Sequence, residues 1–159
     1  MVDVNAGKLV GWLRLMGYDA LFFKTGPDRE LVKAALEEGR IIITRDTRLV
    51  ERKLVKNGTI GTVLLKSDEP EEQIQQVFTE LGLEPGFNPF SRCLACNGRL
   101  ERVEPLQVKK QVPPYVFQTR STFSRCPGCG RIYWQGTHWA AMSARLKCWR
   151  ASARKQQRP

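Results

Sequence analysis

Two Cys-x-x-Cys pairs, Cys93/Cys96 and Cys126/Cys129, constrain this chain more than any other feature. Each spacing makes a tight knuckle that turns two sulfurs toward one point. Two knuckles complete a closed four-thiolate shell of the kind that holds tetrahedral Zn²⁺. Gly98 behind the first pair, and Gly128 and Gly130 around Cys129, let the backbone turn about a metal. The 29 residues between the pairs suffice for one or two β-hairpins, the usual filling of a zinc ribbon. Four sulfurs leave no open coordination position, so the expected zinc is structural, contributing on the order of 10–16 kcal/mol to folding. Two disulfides are the competing reading. A fifth cysteine, Cys148, stands over, and the opening residues carry no secretory-signal pattern. Both facts suit a reducing cytosol, so the expected location is cytoplasmic.

Charge divides the chain in two. Residues 1–90 hold 12 Lys/Arg against 14 Asp/Glu, a net of −2. Residues 91–159 hold 14 Lys/Arg against two acids, Glu101 and Glu104, a net of +12. A basic module with that imbalance expects a polyanion, with nucleic acid the default and a merely soluble basic surface the alternative. No apolar run is long enough to cross a membrane, so no membrane partner is expected.

The first half alternates strand and helix signals. Met1–Asp3 reads as the end of a strand, and Gly7–Met16 as an amphipathic helix carrying Leu9, Leu13 and Met16 on one face. A short strand, Ala20–Phe23, follows. Asp28 can cap a helix that runs through Leu31, Ala34 and Ala35 and stops at Gly39. The run Ile41–Ile43 reads as a strand buried on both faces, as in a parallel sheet. A single helix over Thr47–Lys56, a strand over Thr59–Leu65 and a helix over Glu69–Leu81 complete a βαβαβαβα order. The fold class is α/β, a parallel sheet flanked by helices, followed by a small four-cysteine zinc ribbon. The expected divisions are a first domain over 1–84, a linker over 85–90, the ribbon over 91–149 and a basic disordered tail over 150–159. In the ribbon, Val112–Phe117 reads as extended because of Pro113 and Pro114. Thr137 opens a helix with Trp139, Met142, Leu146 and Trp149 on one face.

Parallel sheets collect functional groups at the carboxyl ends of their strands. Asp3 ends the first strand, Asp46 follows the Ile-rich strand, and Asp28 begins the second helix. Three carboxylates gathered there would repel one another unless a cation joined them, and hard oxygen ligands select Mg²⁺ or Mn²⁺. The implied chemistry is phosphodiester hydrolysis. The same aspartates also suit helix caps and turns, and that alternative stands beside the metal site.

Several motifs occur in order: Asp3 to Asp19 (DVNAGKLVGWLRLMGYD), Asp28 to Leu31 (DREL) and Glu38 to Asp46 (EGRIIITRD). Ser91-Arg92-Cys93, Cys96-Asn97-Gly98, VPPY at 112–115 and YWQGTHW from Tyr133 to Trp139 follow. Over residues 2–146 the chain thereby resembles the PIN-like Mut-seven C-terminal RNase family with its fused zinc ribbon. That family also forms the C-terminal region of Nibbler-type exoribonucleases. The resemblance implies a PIN-like αβα fold and a metal-dependent ribonuclease. Asp3, Asp28 and Asp46 would be catalytic ligands of Mg²⁺ or Mn²⁺, and Cys93, Cys96, Cys126 and Cys129 ligands of structural zinc. Related sequences often carry a further acid where this chain has Arg48, which leaves that acidic position unfilled or supplied elsewhere, with Glu30 and Asp68 as the candidates. The first strand has almost no residues ahead of Asp3, so a late start is expected.

Lys8, Arg14, Arg45, Arg48, Arg131 and His138 are candidate RNA contacts. For Arg14 a structural ion pair is an equal alternative. Tyr133, Trp134 and Trp139 either stack on bases or, as favoured, cover the small ribbon core. The competing functions are an RNA-binding module without catalysis and a toxin-like PIN ribonuclease.

Overall fold

A computed structural model describes residues 1–84 and 87–156, with side chains to Ala151. The chain divides into two compact units, Met1–Leu13 with Asp19–Leu83, and Arg14–Tyr18 with Glu84–Pro159.

The first unit is α/β. Its four strands are β1 (Val2–Asp3), β2 (Phe22–Phe23), β3 (Ile42–Thr44) and β4 (Thr62–Leu64). All pair in parallel, in the order β2-β1-β3-β4. Parallel neighbours need a crossover between them, and α1 (Gly7–Leu15), α2 (Asp28–Glu37) and the pair α3 (Thr47–Val50) and α4 (Lys53–Lys56) supply it. The long helix α5 (Pro70–Leu81) follows β4. Central β3 is buried at every residue, as its β-branched run requires, whereas Ile41 before it is exposed. Proline at the start of α5 and left-handed Gly82 (φ 61°) after it set that helix's limits.

The expected single helix over 47–56 is broken at Glu51–Arg52. Leu49 and Val55 are six residues apart, which in one continuous helix points them to different sides. The break lets both join the apolar cluster with Leu31, Ala35, Ile42 and Ile60.

The second unit has an antiparallel sheet, β5 (Glu101–Val103), β6 (Phe123–Arg125) and β7 (Ile132–Trp134), in that order. The connection from β5 to β6 is two short helices, α6 (Pro105–Val108) and α7 (Pro114–Thr119). The extended reading of 112–117 is therefore corrected. Pro113 is extended, but Pro114 stands at the first helical position, where its missing N–H costs nothing. The turn packs Val116 and Phe117 on Val108, Val112 and Phe123. Helix α8 runs Thr137–Gln156, so residues 150–156, expected as a disordered tail, continue it. Residues 157–159 of that tail, and 85–86 of the expected linker, lie outside the described residues. The rest of that linker packs within the second unit. Asn88 and Phe90 donate backbone N–H groups to the carbonyls of Met16 and Leu15, and Phe87 stacks on Tyr18.

Gly17 is left-handed (φ 95°), and a Cβ there would collide with the Asn88 carbonyl, whereas one on Gly11 in α1 meets nothing. Gly17→Ala should destabilise the fold by about 1–3 kcal/mol. Gly11→Ala should stabilise it by about 0.5–1 kcal/mol through helix propensity. Thermal melts of the two variants would show shifts of opposite sign.

Candidate functional site

The two knuckles are built alike. Cys93 donates its backbone N–H to Gly98 O (2.8 Å) and accepts one from Asn97 (2.9 Å). Cys126 donates to Arg131 O (2.9 Å) and accepts from Gly130 (2.8 Å). The fourth residue after each leading cysteine is left-handed, Asn97 at φ 71° and Gly130 at φ 73°. A Cβ on Gly98 would stand 3.1 Å from Cys126 Sγ, so the first knuckle needs glycine to approach the second.

The four sulfurs lie within 4.8 Å of one another, with Cys93–Cys129 at 3.5 Å and Cys96–Cys126 at 3.3 Å. All are free thiols, too far apart for the ≈ 2.05 Å of a disulfide bond. A tetrahedron of 2.3 Å zinc–sulfur bonds has edges of about 3.8 Å, so the donor set fits zinc. The disulfide alternative is thereby set aside. Burial opposes the Cys93 thiolate, but the Tyr133 hydroxyl, 3.1 Å from its sulfur, and the N–H groups of Cys96 and Ala95 pull the thiol down to about 6. Cys129 goes the other way, to about 12. The Arg131 N–H favours its anion, but burial and hydrogen bonds to the neighbouring sulfurs prevail. Without metal the cluster thus concentrates negative charge on Cys93.

Sequence reasoning did not foresee two supports of this site. One is the Tyr133 hydroxyl. The other is Arg14, expected among the RNA contacts. Arg14 is buried, and its guanidinium donates to the carbonyls of Leu94 (2.8 Å) and Ala95 (2.9 Å) inside the first knuckle. It is therefore a structural clamp rather than a phosphate contact, a correction no local pattern around Arg14 could have supplied.

In the first unit, Asp3, Asp28 and Asp46 line one small cleft of about 110 Å³, with Asn5, Lys24 and Thr25. The strand ends explain the gathering. Asp3 closes β1 and Asp46 follows its neighbour β3. Buried Thr44 links them: its hydroxyl donates to Asp3 Oδ2 (2.6 Å) and accepts the Asp46 N–H (3.0 Å). Asp3 Oδ1 also accepts the Val4 N–H (2.6 Å). Asp46 caps α3, accepting the Arg48 N–H (2.8 Å), so its alternative as a cap is realised. That N–H, and then the Arg48 guanidinium, hold its carboxyl below the usual range. Asp28 was expected as the cap of α2, but Pro27 takes that position. Asp28 begins the helix and accepts from Arg52 (3.0 Å).

The aspartates share a cleft without the tightness of the sulfurs. Among the described residues, the cysteines are the group of three or more ligands converging within 4.8 Å. Neither substitute acid lines the cleft; Asp68 pairs with Arg45, and Glu30 lies outside. Of the other candidate RNA contacts, Lys8, Arg45, Arg48, Arg131 and His138 are exposed. Thr44, Asn5 and Lys24 were missed. Thr44 sits inside the Thr-Arg-Asp motif, so its position was available, but its bond to Asp3 depends on strand pairing.

Fold and site together define an α/β protein with an acidic cleft and a four-cysteine module able to hold zinc. Residues 1–146 match the model of the Mut7-C RNAse domain, and the chain belongs to that family. Membership points to RNA as substrate and to ribonuclease activity. No curated protein and no solved structure matches the chain. No helix among the described residues is long and apolar enough to cross a membrane.

Zinc ligands must be deprotonated, so protons compete with the metal. Burial and the neighbouring sulfurs raise the Cys126 and Cys129 thiols. Zinc affinity should therefore fall all the way down from neutral pH, and most steeply below about 6, where Cys93 is protonated as well. Dialysis across pH followed by metal analysis should show one zinc per chain at neutral pH and its loss in acid. Cys126→Ser should lose the metal at every pH.

Proposed function

We propose that this chain is a metal-dependent ribonuclease that hydrolyses RNA phosphodiester bonds at the cleft lined by Asp3, Asp28 and Asp46. In this reading the first unit is PIN-like and the basic zinc-ribbon module binds the RNA. One observation carries it: three aspartates scattered over more than forty residues of sequence line a single cleft in a member of an RNase-domain family. Three carboxylates are hard donors that suit Mg²⁺ or Mn²⁺. Such a cation, when bound, lowers the pKa of water and offsets charge developing on phosphate.

The chain's own residues prepare that chemistry. Thr44 and the Val4 N–H fix the orientation of the Asp3 carboxylate. Arg48 favours the ionised form of Asp46, the form a metal needs. Lys24, which lines the cleft, supplies a positive charge for a phosphate oxygen. By analogy with two-metal nucleases the products carry 5′-phosphate and 3′-hydroxyl ends.

A second reading, RNA binding without catalysis, draws on Arg48 and Arg52, which engage Asp46 and Asp28 where a metal would have to compete. Asp46→Asn separates the two. Asparagine caps a helix as well as aspartate, so the melting temperature should hold, whereas Asp46→Ala should lose about 1 kcal/mol. End-labelled RNA with Mn²⁺ or Mg²⁺ should be cut by wild type, and at least a hundredfold more slowly by Asp46→Asn, about 3 kcal/mol in barrier. Equal cutting by both would refute the assignment of cleavage to this cleft, and RNA binding without any cutting would favour the second reading.

A further inference from the structure

The second unit contains a larger cavity, about 450 Å³, that the acidic cleft does not explain. Its size lies within the range of ligand pockets, roughly 300–1,000 Å³. Four aromatic side chains, Phe90, Tyr133, Trp134 and Trp139, form much of its wall. Phe90 and Trp139 lean together with ring centroids 5.0 Å apart and planes at 32°. All four are half-buried, so they wall a space as well as packing on a core. Ser124 and Gln135 add hydrogen-bonding groups, and the charged or titratable residues lining the cavity are Arg92, His138 and Tyr133, with no carboxylate among them.

The wall is held in advance. The Tyr133 hydroxyl lies 3.1 Å from Cys93 Sγ, so the cysteine cluster fixes its ring. Arg92 donates to the carbonyls of Gly17 (3.1 Å) and Asn97 (2.9 Å). A preformed cavity spares a ligand the cost of ordering it.

We propose that this cavity is a subsite for one unpaired nucleobase of the RNA, resting on the reading above only in taking RNA as the ligand. Charge selects this occupant. The surrounding sequence, residues 91–159, carries a net +12, which an uncharged apolar ligand would leave unanswered. A nucleotide answers both features, its flat base meeting aromatic walls and its phosphate meeting the basic surface. A base can enter only when free of a duplex, so the subsite makes the module a reader of single strands.

The test uses the zinc-loaded full chain without added Mg²⁺ or Mn²⁺, so that binding is read apart from cleavage. The probes are a dye-labelled oligouridylate and an RNA duplex, followed by fluorescence anisotropy over a salt series. Trp139→Ala should weaken single-strand binding about tenfold, the scale of one lost base stack. Trp139→Phe should retain it. Met142→Trp fills the cavity from α8 without removing a wall, and should weaken it as much even if Trp139→Ala fails to fold. Duplex binding and the salt slope, which reports phosphate contacts, should stay unchanged.

Wild-type affinity for oligouridylate in both Trp139→Ala and Met142→Trp, or no single-strand binding by wild type, would overturn the subsite. So would a concentration-dependent dimer that Met142→Trp dissociates, since a second copy would then fill the cavity. Cavity-dependent binding by a wild type that never cuts would leave the subsite standing and remove the ribonuclease. Cutting by wild type with unaltered binding in both variants would do the reverse.

Discussion

Four sulfur atoms within 4.8 Å of one another organise the second unit. Its three strands have three residues each, and the buried part of its cluster between sheet and short helices is Val108, Val112 and Phe123. Even with Leu15, Met16, Leu146 and Trp149 also buried, this is a small apolar core to set against the entropy of ordering the unit. A zinc ion bound by the thiolates would supply a stabilisation of a different order, about 10–16 kcal/mol. The surroundings are arranged around that demand. Arg14 caps two carbonyls of the first knuckle, Tyr133 reaches the Cys93 sulfur, and Gly98 leaves room for Cys126.

The first unit is organised on another principle. Its parallel sheet is short, and its central strands β1 and β3 are buried throughout. Burial of Asp3 at the end of β1 is tolerable because Thr44 and the Val4 N–H bond its two oxygens. The hydroxyl of Thr44 also accepts the N–H of Asp46, so one buried side chain sets the position of two of the three cleft acids. Arginines at 48 and 52 answer the charges of Asp46 and Asp28. The acidic cleft thus carries countercharges supplied by its own chain.

Much of this was legible in the residues. The spacing of the cysteines led directly to the metal-binding group, since two knuckles demand one another regardless of what lies between. The alternation of apolar runs with glycine and proline stops led to the parallel α/β unit. Three aspartates emerged as candidates from their places after strands and at a helix start, and they do share a cleft. What failed was local in a different way. The helix expected over 47–56 breaks because Leu49 and Val55 must reach the same core. The prolines at 113 and 114 start a turn of helix because Val116 and Phe117 have an apolar cluster to meet. For Arg14 the sequence leaves an RNA contact and a structural ion pair as equals, because nothing nearby announces the carbonyls it serves.

The sequence by itself determined the four-cysteine group, the sheet's strands, the division of charge and the acids at the strand ends. Each follows from short-range spacing or composition, which chemistry reads without knowing the fold. Only the tertiary structure decided which side chains support those groups and what space remains between them. Thr44 meets Asp3 across forty-one residues and Arg14 meets Leu94 across eighty. Phe90, Tyr133, Trp134 and Trp139 line one cavity though they lie up to forty-nine residues apart. Hydrogen-bond partners and voids depend on where distant segments come to rest, and that is fixed by packing of the whole unit rather than by any stretch of its chain.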